Sequence, residues 1–175
     1  MTKCIHICLP VLNEFENLPK LLASFQQQSY QNFKLFICVN QPEDWWDRED
    51  YLSQCLDNER SLQYLNSLRD IELHIIDRSS RGNGWTGKKR GVGWARKLVM
   101  DFAAQQGSPN DILLSVDADT EYPQDYFQSL IDIFQSNISF TAHSNPYYHK
   151  LTGKLAEDRA ILRYEIYMRV YAINM

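Results

Sequence analysis

The stretch Ile-Leu-Leu-Ser-Val-Asp-Ala-Asp, residues 112–119, decides the fold and marks the first candidate site. Its mostly apolar part, 112–116, favours a buried strand, and the run ends in Asp117 and Asp119. Residues i and i+2 of an extended chain project to the same side, so both carboxylates are predicted to point to one place beyond the strand. Carboxylates this close repel each other unless a cation lies between them.

Two interpretations of this acidic end remain open from the stretch alone. Mg²⁺ prefers oxygen ligands and is often held by one or two carboxylates together with substrate phosphates, which predicts a metal–diphosphate site. The alternative is a solvated acidic turn that follows a core strand.

The rest of the chain alternates between predicted strands and predicted helices. Apolar runs predict strands at 4–9, 34–39, 72–77 and 112–116, with 138–141 as a candidate fifth. Helical patterns follow Asn13 as an N-cap, fill about 50–68 and 88–106, start at Pro123 as the first helical residue, and occupy about 154–173. This order predicts an α/β fold, a Rossmann-like three-layer sandwich with a mostly parallel central sheet.

Ligands of such sheets bind beyond the carboxyl ends of the strands. The residues that follow the predicted strands are mostly polar, which predicts a polar ligand. They are Asn13, Glu14, Asn40, Gln41, Asp77, Arg78, Asp117 and Asp119.

Composition narrows the class of protein and its partners. The chain has 175 residues, of which 44% are hydrophobic and 23% are charged, and this predicts one domain with a substantial core. A net charge of −4 gives no support to a nucleic-acid partner. No signal peptide or membrane-spanning run is visible, and the four cysteines form no Cys-x-x-Cys pair. We therefore expect a cytoplasmic protein with reduced, buried thiols.

The glycine-rich loop 82–87 partly matches two nucleotide-binding motifs. It fits Gly-x-Gly-x-x-Gly, but it follows the third predicted strand, whereas a dinucleotide fold has that motif after the first. It also approaches a phosphate-binding loop of the kinase and ATPase type, but Lys89 stands where a Ser or Thr must bind magnesium. Glycines and a helix N-terminus still favour an anion, so Lys88 after Gly87 is predicted to contact a phosphate. The alternative is a solvated, basic start of a helix.

Three motifs in this order resemble the nucleotide-sugar half of a family 2 glycosyltransferase with the GT-A fold. They are Pro10-x-x-Asn13-Glu14, Gly84-Trp85-Thr86-Gly87-Lys88 and Asp117-Ala118-Asp119, and the resemblance covers about residues 4–135. It implies an inverting enzyme that moves a sugar from a nucleoside diphosphate to an acceptor hydroxyl.

Carried over by position, the resemblance implies a site for the nucleotide-sugar and its metal. Asp117 would lie near the ribose and the metal, and Asp119 would bind Mg²⁺ or Mn²⁺. Lys88 would face the diphosphate. The implied nucleotide-sugar contacts are Pro10, Val11, Leu12, Asn13, Glu14, Asn40, Gln41, Gly87, Lys88 and Asp117.

This sequence departs from the family pattern at two places. Asn40 and Gln41 stand where the family usually has an Asp that reads the base, which leaves the nucleotide open. The family's catalytic base lies well after the Asp-x-Asp motif. Glu157 and Asp158 imitate the acidic pair that carries it, but acids at a helix N-terminus explain them more simply.

We therefore expect a donor-binding domain over 1–150, followed by a helix over 151–175 that leads to an acceptor region with the base beyond Met175. That helix is apolar nearly all round, so 154–173 is predicted to dock a missing domain or a second copy. The implied acceptor is a saccharide or a lipid-linked molecule at the inner face of a membrane.

Two other functions are compatible with parts of this sequence. A nucleotidyltransferase shares this fold and also uses paired acids, but it needs a glycine-rich basic loop after the first strand, and 10–17 has neither glycine nor a basic residue. A non-catalytic nucleotide-sugar-binding module is consistent with a chain that lacks the base.

Overall fold

The computed structural model describes residues 3–88, 90–136, 141–145 and 148–173. The strands are β1 (Ile5–Val11), β2 (Phe33–Asn40), β3 (Leu73–Arg78) and β4 (Ile112–Ser115). The helices are α1 (Leu18–Gln26), α2 (Leu52–Ser67), α3 (Val92–Gln106), α4 (Tyr126–Ser136) and α5 (Leu155–Ile173), with short 3-10 turns at Glu43–Asp47 and Glu49–Tyr51. The chain forms two compact units, Met1–Ser136 and Asn137–Met175.

The first unit is a parallel sheet with helices on both faces, which confirms the predicted fold class. The strand order is β3-β2-β1-β4 and every described pairing is parallel. Ile5 of β1 is in register with Phe33 of β2 on one side and with Ile112 of β4 on the other. The carboxyl ends of all four strands therefore lie along one rim.

Alternating side chains of the central strands build two cores. One face of β1 and β2 packs against apolar residues of α1, α2 and α4, including Phe25, Leu65 and Phe127. The opposite face packs against α3, through Phe36, Val99 and smaller side chains. Because both faces are covered, β1 is buried along its whole length, as a central parallel strand should be.

The histidine and cysteines of the sheet are structural. His6 is buried beside Phe36, with a ring separation of 5.1 Å, and its Nδ1 lies 3.2 Å from the carbonyl oxygen of Ala103. All four cysteines are free, as expected. Burial raises the pKa of Cys8 and of Cys38 to about 12, which makes these thiols poor nucleophiles.

Three predicted helix starts are wrong. Asn13 is not an N-cap: its φ is +58°, and α1 begins only at Leu18. Helix α3 begins at Val92 instead of Lys88, because Gly87 and Gly91 have φ values of +72° and +94°, which a right-handed helix cannot contain. Helix α4 begins at Tyr126, after a turn that follows Pro123.

The fourth strand is buried on only one face, contrary to the sequence prediction. Ile112 and Leu114 are buried, whereas Leu113 is 40% exposed and Ser115 is also exposed. Within the described residues β4 pairs only with β1, so it forms an edge of the sheet. The candidate fifth strand cannot be compared with the structure, since 138–140 lie outside the described residues; Thr141 has no regular structure.

The second unit contains α5, which confirms the helix predicted near 154–173. Several of its large apolar side chains are exposed, among them Leu155, Ile166 and Tyr167. Asp158 accepts hydrogen bonds from the amide and hydroxyl of Thr152, so it ties the segment before this helix to its first turns. None of the helices in the described ranges is long and apolar enough to cross a membrane.

Candidate functional site

A cleft lies where β1 and β4 end side by side. The chain leaves β1 through 12–17 and leaves β4 through 116–121, and the two segments enclose an open space of about 280 Å³. The start of α3 closes one side. The lining residues are Pro10, Leu12, Glu14, Val92, Asp117, Ala118 and Asp119.

The two aspartates point to the same side of the chain although β4 does not reach them. Strand β4 ends at Ser115, but the alternation of side chains continues beyond it. Val116 and Ala118 remain buried, and the aspartates on either side of Ala118 are exposed and line the cleft. The structure thus brings Asp117 and Asp119 together, as the spacing predicted.

Arg96 of α3 is a site residue that sequence reasoning missed. Its Nη2 donates to Asp117 Oδ1 at 2.6 Å, and its Nη1 donates to Ser115 Oγ at 2.7 Å. Asp117 therefore already has a cationic partner in the protein. Asp119 differs, because it is exposed and has no hydrogen-bonded or ionic partner among the described residues. The negative charge that a bound cation would balance therefore lies mainly on Asp119.

Glu14 adds a third carboxylate to the cleft, opposite the aspartates. Its Oε2 accepts a hydrogen bond of 2.6 Å from Asn17 Nδ2. Burial raises the pKa of Glu14, and the charges of Asp119, Asp57 and Asp117 raise it further against the effect of that hydrogen bond. The cleft therefore contains negative charge that the protein only partly balances, and a cation would lower its energy.

The oxygen donors of the cleft fit a hard cation that shares its coordination with a ligand. In 3–88, 90–136, 141–145 and 148–173, no three His, Cys, Asp or Glu residues lie close enough to hold a metal by themselves. Asp119 and the oxygen of Asp117 that does not bind Arg96 offer two ligands. Mg²⁺ is commonly held by this number of carboxylates, with phosphate and water oxygens completing its shell.

Of the five residues predicted to line a nucleoside pocket, three do line the cleft. Pro10, Leu12 and Glu14 alternate along the chain and face it. Val11 is fully buried on the other side, and Asn13 is exposed, with its amide donating to Asn58 Oδ1 at 2.8 Å. Strand geometry explains the alternation of Pro10, Val11 and Leu12, whereas Asn13, with a φ of +58°, has left the extended conformation.

Asn40 and Gln41 do not line the cleft. Asn40 is 1% exposed; its Nδ2 donates to the carbonyl oxygen of Val11 at 2.8 Å, and its Oδ1 accepts from Trp85 Nε1 at 3.2 Å. Gln41 is fully buried, donates to Cys55 Sγ and accepts from Asn58 Nδ2. These amides tie β1, β2 and α2 together, so a base contact would require breaking buried hydrogen bonds.

The first two glycines of the glycine loop bind a carboxylate of the protein itself. Glu43 accepts hydrogen bonds from the amides of Gly82 and Gly84, through Oε1 at 2.8 Å and Oε2 at 2.7 Å. A Cβ on Gly84 would lie 2.7 Å from the Cα of Glu43, so only glycine fits there. We call this arrangement the Glu43 clasp.

Asp77, at the end of β3, holds the start of the same loop through hydrogen bonds. Its Oδ1 accepts from the amides of Ser79 and Ser80, and its Oδ2 accepts from Asn83 Nδ2. Burial alone would raise the pKa of Asp77, but the hydrogen bonds from Ser80, Ser79 and Asn83 outweigh it and lower the pKa below its usual value. The amides of this part of the loop are therefore engaged within the protein.

Gly87 and Lys88 lie further along the loop, and neither lines the cleft. Both are exposed, and the Lys88 ammonium has no partner among the described residues. Its predicted contact with a diphosphate stays a prediction.

No protein-family model matches this sequence, and no curated protein matches it.

Proposed function

We propose that this chain is the donor-binding part of a metal-dependent, inverting glycosyltransferase, with the cleft between the ends of β1 and β4 as its nucleotide-sugar site. The observation that carries this proposal is the meeting of Asp117 and Asp119 with Pro10, Leu12 and Glu14 in that cleft. The cleft lies at the carboxyl-end rim of a parallel sheet, where α/β folds bind their ligands.

The side chains of the cleft have distinct roles in this proposal. Pro10 and Leu12 provide an apolar wall for the nucleoside. Asp119 holds Mg²⁺ or Mn²⁺ together with the diphosphate, and Arg96 occupies one oxygen of Asp117 and so limits its contribution to the metal. The cation stabilises the negative charge that develops on the departing diphosphate, as metal ions do in phosphoryl chemistry.

We assign no catalytic base within this chain. An inverting transfer needs a base that takes the proton of the acceptor hydroxyl while the anomeric carbon gains oxocarbenium-like character. Glu157 and Asp158 are the acids considered for this role, but Asp158 binds Thr152 and Glu157 pairs with Lys154. We therefore place the base in a separate acceptor region that takes a saccharide or a lipid-linked acceptor at the cytoplasmic face of a membrane.

Calorimetry tests the proposal with UDP-, GDP- and dTDP-sugars, each titrated with and without Mn²⁺. We expect at least one of them to bind only when Mn²⁺ is present. The proposal is overturned if none shows metal-dependent binding. A pyrophosphate-release assay with nucleoside triphosphates and sugar phosphates is expected to be negative, because 10–17 contains no glycine and no basic residue.

A further inference from the structure

A second cleft lies at the same rim of the sheet, beyond the carboxyl end of β3. It has a volume of about 270 Å³ and lies between the 3-10 turn Glu43–Asp47, helix α2 and the start of the glycine loop. Its lining residues are Trp46, Glu59, Ser79, Ser80 and Arg81, none of which lines the first cleft. The first cleft lies where β1 and β4 end, so the two clefts open at different places along the rim.

Hydrogen bonds hold the aromatic and cationic walls of this cleft in place. The indole Nε1 of Trp46 donates to the carbonyl oxygen of Ser79 at 2.9 Å. Arg81 donates to Asp47 Oδ1 at 2.9 Å and to the Trp46 carbonyl oxygen at 3.1 Å, and its guanidinium carbon lies 5.5 Å from the Trp46 ring centroid. Side chains fixed in this way lose little entropy when a ligand binds.

Glu59 supplies an available acceptor on the α2 side. It is exposed and has no hydrogen-bonded or ionic partner in the part of the chain that the structure describes. A carboxylate of this kind accepts strong, charge-assisted hydrogen bonds from hydroxyl groups. Ser80, whose amide donates to Asp77, also lines this cleft.

The charges of the cleft select against an anionic ligand. Arg81 is already paired with Asp47, so the uncompensated charge is that of Glu59, which would repel an anion. A half-buried indole favours the apolar C–H face of a ring, whereas the carboxylate and guanidinium favour hydroxyl groups. A volume just below that of typical ligand pockets suits a small ligand.

We propose that this cleft binds one neutral saccharide unit, with Trp46 against the sugar ring and Glu59 accepting hydrogen bonds from its hydroxyl groups. The proposal goes beyond the donor site and requires neither a nucleotide nor a metal. It assigns the rim of the sheet a second binding site at the opposite edge from the aspartates.

The test uses the full chain labelled with 5-fluorotryptophan and ¹⁹F NMR, without nucleotide or metal. The chain has four tryptophans, and Trp46→Phe assigns the relevant resonance. Methyl β-D-glucopyranoside, methyl α-D-mannopyranoside and N-acetylglucosamine serve as neutral probes, with glucuronate as the anionic comparator. We expect a saturable shift of the Trp46 resonance with at least one neutral probe and weaker binding of glucuronate.

Glu59→Ala is expected to weaken that binding about tenfold or more, because it removes a charge-assisted hydrogen bond. Glu49→Ala is the matched control, since Glu49 is also exposed but lies outside the cleft, and it should leave the affinity unchanged. Saturation-transfer difference NMR, which observes the glycoside, measures the same affinities on protein without the fluorine label.

The inference is overturned if no neutral probe gives a saturable shift at Trp46, if Glu59→Ala binds as tightly as the wild type, or if glucuronate binds as tightly as the neutral sugars. Each of these results leaves the metal-dependent nucleotide site untouched, because no metal or nucleotide is present in the experiment.

Discussion

Replacing Glu43 by Gln is expected to open the glycine loop while the sheet stays folded. The carboxylate of the Glu43 clasp accepts one amide hydrogen on each oxygen, from Gly82 and from Gly84. A Gln side chain has one carbonyl oxygen and one NH₂ group, so it satisfies one amide and presents a donor to the other. The substitution therefore removes one charge-assisted hydrogen bond and weakens the second.

The size of this effect follows from the two hydrogen bonds. A hydrogen bond to a charged group contributes about 1.5–3 kcal/mol to stability. The Gly82 side of the clasp is exposed, where solvent reduces the contribution, and the Gly84 side is partly buried. We expect the free energy of local opening to fall by about 1.5–2.5 kcal/mol, which corresponds to a loss of amide protection of about 10- to 70-fold.

Native-state hydrogen exchange measured by NMR gives the protection of the two glycine amides directly. Glu49→Gln is the control, because Glu49 is exposed and its carboxylate has no hydrogen-bonded or ionic partner within the described ranges. The amides of β1 should keep their protection in both variants. The reasoning is refuted if exchange at Gly82 and Gly84 changes less than about twofold in Glu43→Gln, or if the control loses as much protection.

Three further predictions test other parts of the first unit. Gly84→Ala should destabilise the protein by about 1–3 kcal/mol in urea unfolding because of the close approach of a neighbouring backbone, whereas Gly93→Ala, in open space within α3, should stabilise it by about 0.5–1 kcal/mol. Arg96→Met should tighten Mn²⁺ binding severalfold in calorimetry, because it releases the Asp117 oxygen that Arg96 binds and removes a nearby positive charge. An unchanged affinity would contradict the competition of Arg96 with the cation for Asp117. Asp77 has a lowered pKa when folded, so its ionised form stabilises the protein above the unfolded pKa near 3.8, and this stabilisation is lost as the pH falls through the lowered value. The stability difference between wild type and Asp77→Asn in urea unfolding should therefore shrink as the pH falls below about 4, and a constant difference would contradict it.

The sequence predicted those parts of the fold that depend on local pattern. Apolar runs indicated all four strands. The convergence of Asp117 and Asp119 was predictable because their spacing by two residues is itself a local feature. The starts of α1 and α3 were less accessible, since they depend on positive φ values at Asn13, Gly87 and Gly91.

The contacts that the sequence did not indicate join residues far apart in the chain. Arg96 reaches Asp117 across 21 positions, and Glu43 reaches Gly84 across 41. Such pairs depend on how helices and loops are placed over the sheet, which no local pattern specifies. Gln41 follows a predicted strand, so the sequence placed it at an open strand end. In the structure α2 covers it, and Asn58 of α2 donates a hydrogen bond to its side chain.

The central claim is that Asp119 holds a cation that binds a nucleoside diphosphate. The most direct measurement is calorimetry of UDP, GDP and dTDP with and without Mn²⁺, on the wild type, Asp119→Asn and the control Asp125→Asn, whose side chain is exposed outside the cleft. We predict that Mn²⁺ tightens binding of at least one nucleotide about tenfold or more in the wild type and in Asp125→Asn, and has no such effect in Asp119→Asn. An equal effect of Mn²⁺ in Asp119→Asn, or no effect in any of the three proteins, would contradict the claim.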